Sequence, residues 1–421
     1  MSDYFVYYLR TEFSEYYVGL EIAGEKVMKF KALGLIAAAG LAVFSLAACN
    51  TAPGGKASES KGTPIGDTFK LGYDLELSGG VTAYGNAGKK GADLAVDEIN
   101  KAGGINDKQI KVVSKYNKSD NVEANTVASN LINNDKVNAI IGSMTSGAVK
   151  SMTPNVTKGA VPLVTPGGTD DTLTITNGKV NQYVFRSTFQ DSYQGKVLAN
   201  YTADKLNAKK VVLYYDNSSD YAKGIAKSFE KTYKGKIVDK VTFQSGDKDF
   251  QATLSKIKSE DFDAIVMPGY YSEAGLITKQ ARELGLQQPI LGGDGFADPT
   301  FIALAGDAAA TNVYYVSGYS GKTPANEVTK RFIASYKVKY QTEPSMFDAL
   351  SYDAVYMVKQ AAEDTKAKSS VDVKDGLAKL KGFKGATGDI SVDKDHNPVK
   401  DAVVVKLENG KEASETIVKP D

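Results

Sequence analysis

The chain has 421 residues, 42% of them hydrophobic, which is ample for two cores of ordinary size. Lys and Arg number 51 against 50 Asp and Glu, a formal charge of +1, which excludes the broadly basic surface that a nucleic-acid partner needs. One cysteine, one histidine and no tryptophan exclude an internal disulfide and a Cys/His zinc cluster, and a Cys–His dyad would have to combine Cys49 with His396, so no metal or cofactor is expected.

Residues 1–27 are rich in tyrosine and precede an export signal, which belongs at the very start of a chain. We therefore read 1–27 as an over-called extension, with Met28 as the initiator. From Met28 the sequence runs MKFKALGLIAAAGLAVFSLAACN: basic Lys29 and Lys31, an apolar run from Ala32 to Leu46, then Ala47-Ala48-Cys49. This predicts a signal peptide over 28–48, since the run is shorter than the ~20 residues of a membrane span. Its ending resembles a bacterial lipobox, which implies cleavage before Cys49 and a diacylglycerol on that thiol. The Gly/Ser/Pro-rich stretch that follows predicts a flexible tether over 49–66.

The mature chain then alternates. Phe69–Leu77 reads as a strand, and Ala87, Gly91, Leu94, Ala95, Ile99 and Ala102 mark a helix that Gly103-Gly104 stop. Gln109–Lys115 is a strand and Val122–Asn133 a helix. Val137–Ile141 and Val161–Thr165 are β-branched runs of the kind buried in a parallel sheet, with one crossover helix between them. Both strands of such a unit point the same way, so Ser143–Gly147 and Pro166–Asp171 reach the same sheet edge, where open α/β sheets bind ligands. Each loop is expected to enter a helix, whose free N–H groups beside the hydroxyls of Ser146 and Thr169 would suit a small anion such as a carboxylate. The competing reading makes both residues simple helix caps.

Tyr183–Ser192 breaks the rhythm and reads as a crossing between lobes. A second series follows: strand Lys210–Tyr215, helix Tyr221–Tyr233, strand Lys236–Phe243, helix Phe250–Lys258, strand Ala264–Met267, helix Glu273–Leu284, strand Pro289–Leu291. Its strand ends carry Tyr221, Tyr270 and Asp294, the last set between glycines so that its carboxylate is free to reach a ligand. Val313–Val316 is a further strand, Glu327–Tyr340, Asp348–Asp364 and Val371–Leu380 are helices, and Gly388–Val392 and Val399–Leu407 are strands. His396 falls in the polar turn between those two and is expected at the surface. The fold class is therefore α/β, with two doubly wound, Rossmann-like lobes.

The segments LSGGVTAYGNAGKKGADLAVDEINKAGGI, IGSMTSGAVKSMTP, VPLVTPGGTDDTLT, YDNSSDYAKG, GYYSEAGLITKQARELGL and GGDGFAD, spread over nearly all of Phe69–Leu407, resemble the leucine/isoleucine/valine-binding proteins of bacterial ABC importers. The resemblance implies a three-segment hinge, with lobe 1 over 67–190 and 318–400 and lobe 2 over 191–317 and 401–421. It implies that Ser146 and Thr169, with the backbone around Gly167 and Gly168, hold an amino acid's carboxylate and that Asp294 holds its ammonium. Tyr84, Tyr221 and Tyr270 match tyrosines of the cleft, and Met144 and Phe347 lie where such proteins line the side-chain pocket. Asp294 stands where a glutamate is common, Thr145 where some members have cysteine, and Gly167-Gly168 where slightly larger alanines occur, which would widen the pocket. The implied partners are a branched-chain amino acid, an importer permease and, through Cys49, the membrane; the protein would be an extracytoplasmic monomer and not an enzyme. A sensory receptor domain of the same fold, or a sugar-binding protein without the usual tryptophan, are the alternatives.

Overall fold

The computed structural model describes residues 60–419; the readings made for residues 1–27, for the signal over 28–48 and for Cys49 lie outside them. From the N-terminal side run β1 (Phe69–Leu75), α1 (Thr82–Lys101), β2 (Ile110–Tyr116), α2 (Asn121–Asn133), β3 (Ala139–Gly142), α3 (Ser146–Gly159) and β4 (Leu163–Thr165). A small hairpin, β5 (Ile175–Thr176) and β6 (Lys179–Val180), precedes β7 (Val184–Arg186). The larger strands form an all-parallel sheet in the order β2-β1-β3-β4-β7. Successive side chains point to opposite faces, and both faces are covered. Ala139, Ile141, Val164 and Phe185 pack with α1 on one side, while Ile140, Leu163 and Val184 pack with α2 and α3 on the other. That is why these strands read as unbroken apolar runs.

The second series is α4 (Asp191–Asn200), β8 (Lys210–Asp216), α5 (Asp220–Thr232), β9 (Lys236–Phe243), α6 (Gln251–Lys258), β10 (Ala264–Val266), α7 (Tyr271–Glu283), β11 (Ile290–Gly292), α8 (Pro299–Ala305) and β12 (Val313–Ser317). After it come α9 (Glu327–Tyr340), α10 (Met346–Asp364), α11 (Ser370–Leu377), β13 (Phe383–Gly385), β14 (Gly388–Val392), β15 (Pro398–Val399), β16 (Ala402–Glu408) and β17 (Lys411–Val418). The second large sheet has the order β17-β16-β12-β11-β10-β8-β9, parallel from β9 to β12 and antiparallel where β16 and β17 close its edge. The chain leaves the first sheet after β7, returns after β12 to helix α10, which packs on α1, and enters the second sheet again between β15 and β16. This is the two-lobed α/β architecture expected from the alternating pattern.

Several expectations fail locally. Helices α4 and α8 and strand β17 carry no anticipated pattern, and the strand read over Val399–Leu407 is two strands separated at Lys400-Asp401. The loop after β4 enters a 3-10 turn, Asp171–Leu173, instead of a helix. Asp170 turns its carboxylate onto the Thr172 N–H there (2.6 Å), a local bond that competes with helix continuation. His396 is 4% exposed, its ring stacked on Phe185 at 4.1 Å with Nδ1 3.1 Å from the Val184 carbonyl. It is a packed residue, and burial holds its pKa below the usual histidine value. The last residues of the expected tether are pinned: the Thr63 N–H donates to Ser370 Oγ (2.8 Å) and the Ile65 N–H to the Lys368 carbonyl (2.8 Å).

Candidate ligand-binding site

The parallel register brings the ends of β1, β3 and β4 to one edge, with Asp74 beside Gly142 and Ile141 beside Val164. Two loops leave that edge and are tied together there. Ser146 opens α3, and its Oγ accepts the N–H groups of Thr169 and Asp170 at 3.1 Å each. Thr165 Oγ1 donates to the Ser143 carbonyl (2.6 Å) and accepts the Gly168 N–H (2.7 Å). From beneath, fully buried Arg186 donates to the carbonyls of Gly168 (3.2 Å) and Asp170 (2.9 Å). Neither Ser146 nor Thr169 is a helix cap, since Thr145 holds that position on α3 and no helix follows Thr169. One helix N-terminus faces this loop pair where two were expected.

The glycines of the second loop are there for close approach. A Cβ on Gly167 would stand 2.4 Å from the Met144 carbonyl, and one on Gly168 would stand 2.8 Å from Thr165 Oγ1. A side chain at either position meets protein, so the two glycines do not simply enlarge a pocket. Met144 is held by its N–H, which donates to both oxygens of Glu76 (3.1 and 3.0 Å), a carboxylate that also accepts from Thr145 Oγ1. Its methyl group lies over Gly88 on α1, where any Cβ would collide with it at 1.7 Å.

The other lobe presents aromatic rings and acids. Tyr221 and Tyr270 stack in parallel, 5.0 Å apart, and the Tyr221 hydroxyl accepts the Gly295 N–H at 2.8 Å. Tyr84, on α1, reaches across: its hydroxyl donates to the Gly295 carbonyl and accepts the Tyr271 N–H (3.2 Å), while its ring lies 4.2 Å from Phe347 at the start of α10. The Ala83 N–H donates to Tyr271 Oη (3.2 Å), and Lys150 on α3 pairs with Asp220 on α5 (2.9 Å). These contacts close the two lobes on each other.

Inside the closure, five buried polar atoms find no hydrogen-bond partner among the described residues: Thr169 Oγ1, both oxygens of Asp191, Gln194 Nε2 and Asp294 Oδ2. Asp294 is 3% exposed; burial pushes its carboxyl up to about 7, although nearby Tyr221 and Gln194 offset part of the rise. Burial also raises Asp191 well above the carboxylate range, and Asp294 adds to that rise. The Thr169 hydroxyl is close enough to Asp191 to oppose it, but outside hydrogen-bonding geometry. Leaving such atoms unpaired costs about 1–3 kcal/mol each. These are therefore the groups of the closure with most to gain from a partner. Buried acids without a cation on one side thus face a hydroxyl near a helix N-terminus on the other.

All ten residues singled out from the sequence therefore lie on this interlobe cleft or its immediate walls. Sequence reasoning missed Asp191, Gln194, Glu76 and Arg186. Asp191 and Gln194 are three apart on α4, one face of a helix, a signal that could be read only once FQDSYQG was recognised as a helix start. Among the described residues no three His, Cys, Asp or Glu side chains are grouped to hold a metal, and no helix is long and apolar enough to cross a membrane.

The family model described as periplasmic binding protein matches residues 68–412. The chain belongs to the periplasmic binding protein family. Among solved structures, this family member is similar to the branched-chain amino acid transporter substrate binding protein LivJ of Streptococcus pneumoniae in complex with isoleucine, at 53% identity and a TM-score of 0.81, over 84% of this chain and 100% of that one. It is also similar to the leucine binding protein LivK of Thermotoga maritima, at 32% identity and a TM-score of 0.79, over 84% and 99% of the two chains. A leucine-, isoleucine-, valine-, threonine- and alanine-binding protein of Pseudomonas aeruginosa is 28% identical over 84% of this chain and 93% of its own.

Proposed function

We propose that this periplasmic binding protein captures leucine, isoleucine or valine between its lobes and delivers it to the permease of an ABC importer, without catalysing a reaction. The observation that carries this reading is the division of the buried, unpartnered polar groups among the described residues: a hydroxyl on one lobe, two carboxyls and an amide on the other. The carboxylate of the amino acid is assigned to Ser146, Thr169, the Gly167-Gly168 backbone and the start of α3; its ammonium is assigned to Asp294 with Asp191. Tyr84, Met144 and Phe347 would surround the apolar side chain, and Tyr221 and Tyr270 would flank the ammonium. The lobes that close are assigned to 67–190 with 318–400 and to 191–317 with 401–421. Ligand favours the closed form because only there are both of its charges paired. We further assign the protein to the outer face of the membrane, held as a monomer by a lipid on Cys49.

The test is calorimetry of the purified protein with leucine, isoleucine, valine, leucinamide and isoamylamine. One methylene is worth roughly 1–3 kcal/mol in an apolar pocket, whereas a missing charge strands buried polar groups and can cost ~10⁴-fold. The three amino acids should bind as one group, with the amide and the amine far weaker. Equal binding of leucine and leucinamide would refute the carboxylate assignment.

A further inference from the structure

The pole of the first lobe opposite the cleft, at the starts of β1, β2 and β3, holds a hollow of about 1030 Å³ whose lining includes Lys70, Lys111, Lys136 and Lys158, with Asp67 as its sole carboxylate. Lys111, Lys136 and Lys158 are exposed, and none of the four has a carboxylate within ion-pairing distance among the described residues. Asp135, nearby in sequence, is neutralised by Lys115 at 3.2 Å and offers Lys70 only its backbone carbonyl. Lys158 lies in the last turn of α3, where it also offsets the helix dipole; Lys111 and Lys136 lie outside any helix. In a chain whose charges otherwise balance, this is a local excess of ammonium groups set among amides and hydroxyls.

The same hollow is where the N-terminal segment joins the folded lobe. Ser60, Gly62 and Thr63 line it, and Thr63 is, among the described residues, the first tied down by a long-range bond. About fourteen residues separate Thr63 from Cys49, a contour of at most ~50 Å. A lipid on Cys49 would therefore bring this pole within reach of the bilayer.

We propose that this lysine-lined pole is a docking surface for anionic phospholipid headgroups of the membrane that carries the anchor. The proposal rests on the lipid-anchor reading and adds a second contact to it. Each ammonium would face headgroup phosphates, and the attraction acts only within a Debye length of about 8–10 Å, so the contact is made or lost with the orientation of the lobe. A diacylglycerol on Cys49 would hold the chain at the surface by its two acyl chains, so the patch sets the orientation of the lobe and not the attachment.

The test is amine-acylation footprinting of the lipidated protein on vesicles of phosphatidylcholine alone and of phosphatidylcholine with phosphatidylglycerol as roughly a third of the lipid. Labelling of Lys111, Lys136 and Lys158 should fall several-fold on the anionic vesicles and recover at about 0.5 M salt, where screening is strong. Labelling of Lys256, on the other lobe, should not change. In the Lys111→Gln/Lys136→Gln protein the protection of Lys158 should vanish while leucine affinity is kept. Equal labelling on both vesicles would overturn the proposal, as would equal protection by inorganic phosphate without vesicles, which marks a site for free anions. Failure to float even with neutral vesicles would refute the lipid anchor by itself. The patch would then be read by flotation of the same protein, where binding to anionic vesicles only supports it and binding to neither overturns it.

Discussion

Asp294 sits in an environment that an aspartate tolerates poorly, 3% exposed with one oxygen unpartnered and its carboxyl pushed up to about 7. Its replacement separates binding from folding. Asp294→Ala should weaken leucine binding by about 2–5 kcal/mol, because a desolvated ammonium loses its partner, while the ligand-free protein keeps or gains thermal stability as an unpaired buried carboxyl disappears. Thr169→Val keeps the shape and removes a hydroxyl that has no hydrogen-bond partner among the described residues. It should leave the melting temperature of the ligand-free protein nearly unchanged and cost about 1–2 kcal/mol in binding. Calorimetry and thermal melts of the two variants decide both; a fall in ligand-free stability with unchanged affinity would show that these residues serve the fold alone. Asp294 could be singled out from the sequence because glycines on both sides have little other reason to hold an acid. Asp191 was not, since an aspartate in FQDSYQG also fits a turn, and only the approach of α4 to the cleft buries it.

At the scale of the element, α3 and the loop before it depend on Glu76. This carboxylate is fully buried, raised to about 7 by burial, and accepts the Met144 N–H through both oxygens. Glu76→Ala would strand the Met144 N–H and the Thr145 hydroxyl, and we expect a loss of about 1–3 kcal/mol in stability together with weaker ligand binding, measured by denaturant unfolding and calorimetry. An unchanged midpoint would show that the loop holds itself. Helix α4 illustrates what a single sequence hides. Its interior carries Gly195, a poor helix former, yet a Cβ there would meet the Ile225 carbonyl at 2.7 Å and Ser228 Cβ at 2.5 Å on α5. The glycine is required by the close helix crossing, and the crossing in turn stabilises a helix that propensity alone disfavours.

Across the whole molecule, closing the lobes and titrating the cleft are one equilibrium. Asp294 has a pKa near 7 in this closed form, while a solvated aspartate titrates near 4. The closed ligand-free form therefore binds more protons than an open form with a solvated Asp294, and Asp191, also raised, acts in the same direction. Its share should be greatest below pH ~4, fall as pH rises from about 4 to 7, and level off above. An amino acid's ammonium removes the dependence by pairing the carboxylate. Small-angle scattering should thus give a radius of gyration that grows with pH over that window without leucine and stays constant with it. A ligand-free radius independent of pH would refute the coupling. The exposed Lys150–Asp220 pair across the closure contributes little by comparison, since such pairs are worth about 0–1 kcal/mol.

The sequence by itself determined the alternating α/β order, the duplication into two lobes and the polar loops at the strand ends, because the period of apolar residues and the placement of Gly, Ser, Thr and Asp at strand ends are local properties of the chain. The tertiary structure alone decided which buried groups meet. Asp191 and Gln194 join Asp294, Tyr84 bonds to Gly295, Arg186 supports the Gly168–Asp170 loop, and His396 packs inside. Apart from Arg186, which grips a loop 16 to 18 residues before it, these meetings join residues about a hundred or more positions apart, and no periodicity spans that distance. Their burial, which moves pKa values and leaves polar atoms in need of a partner, is a property of the folded tertiary structure and of no local stretch of sequence.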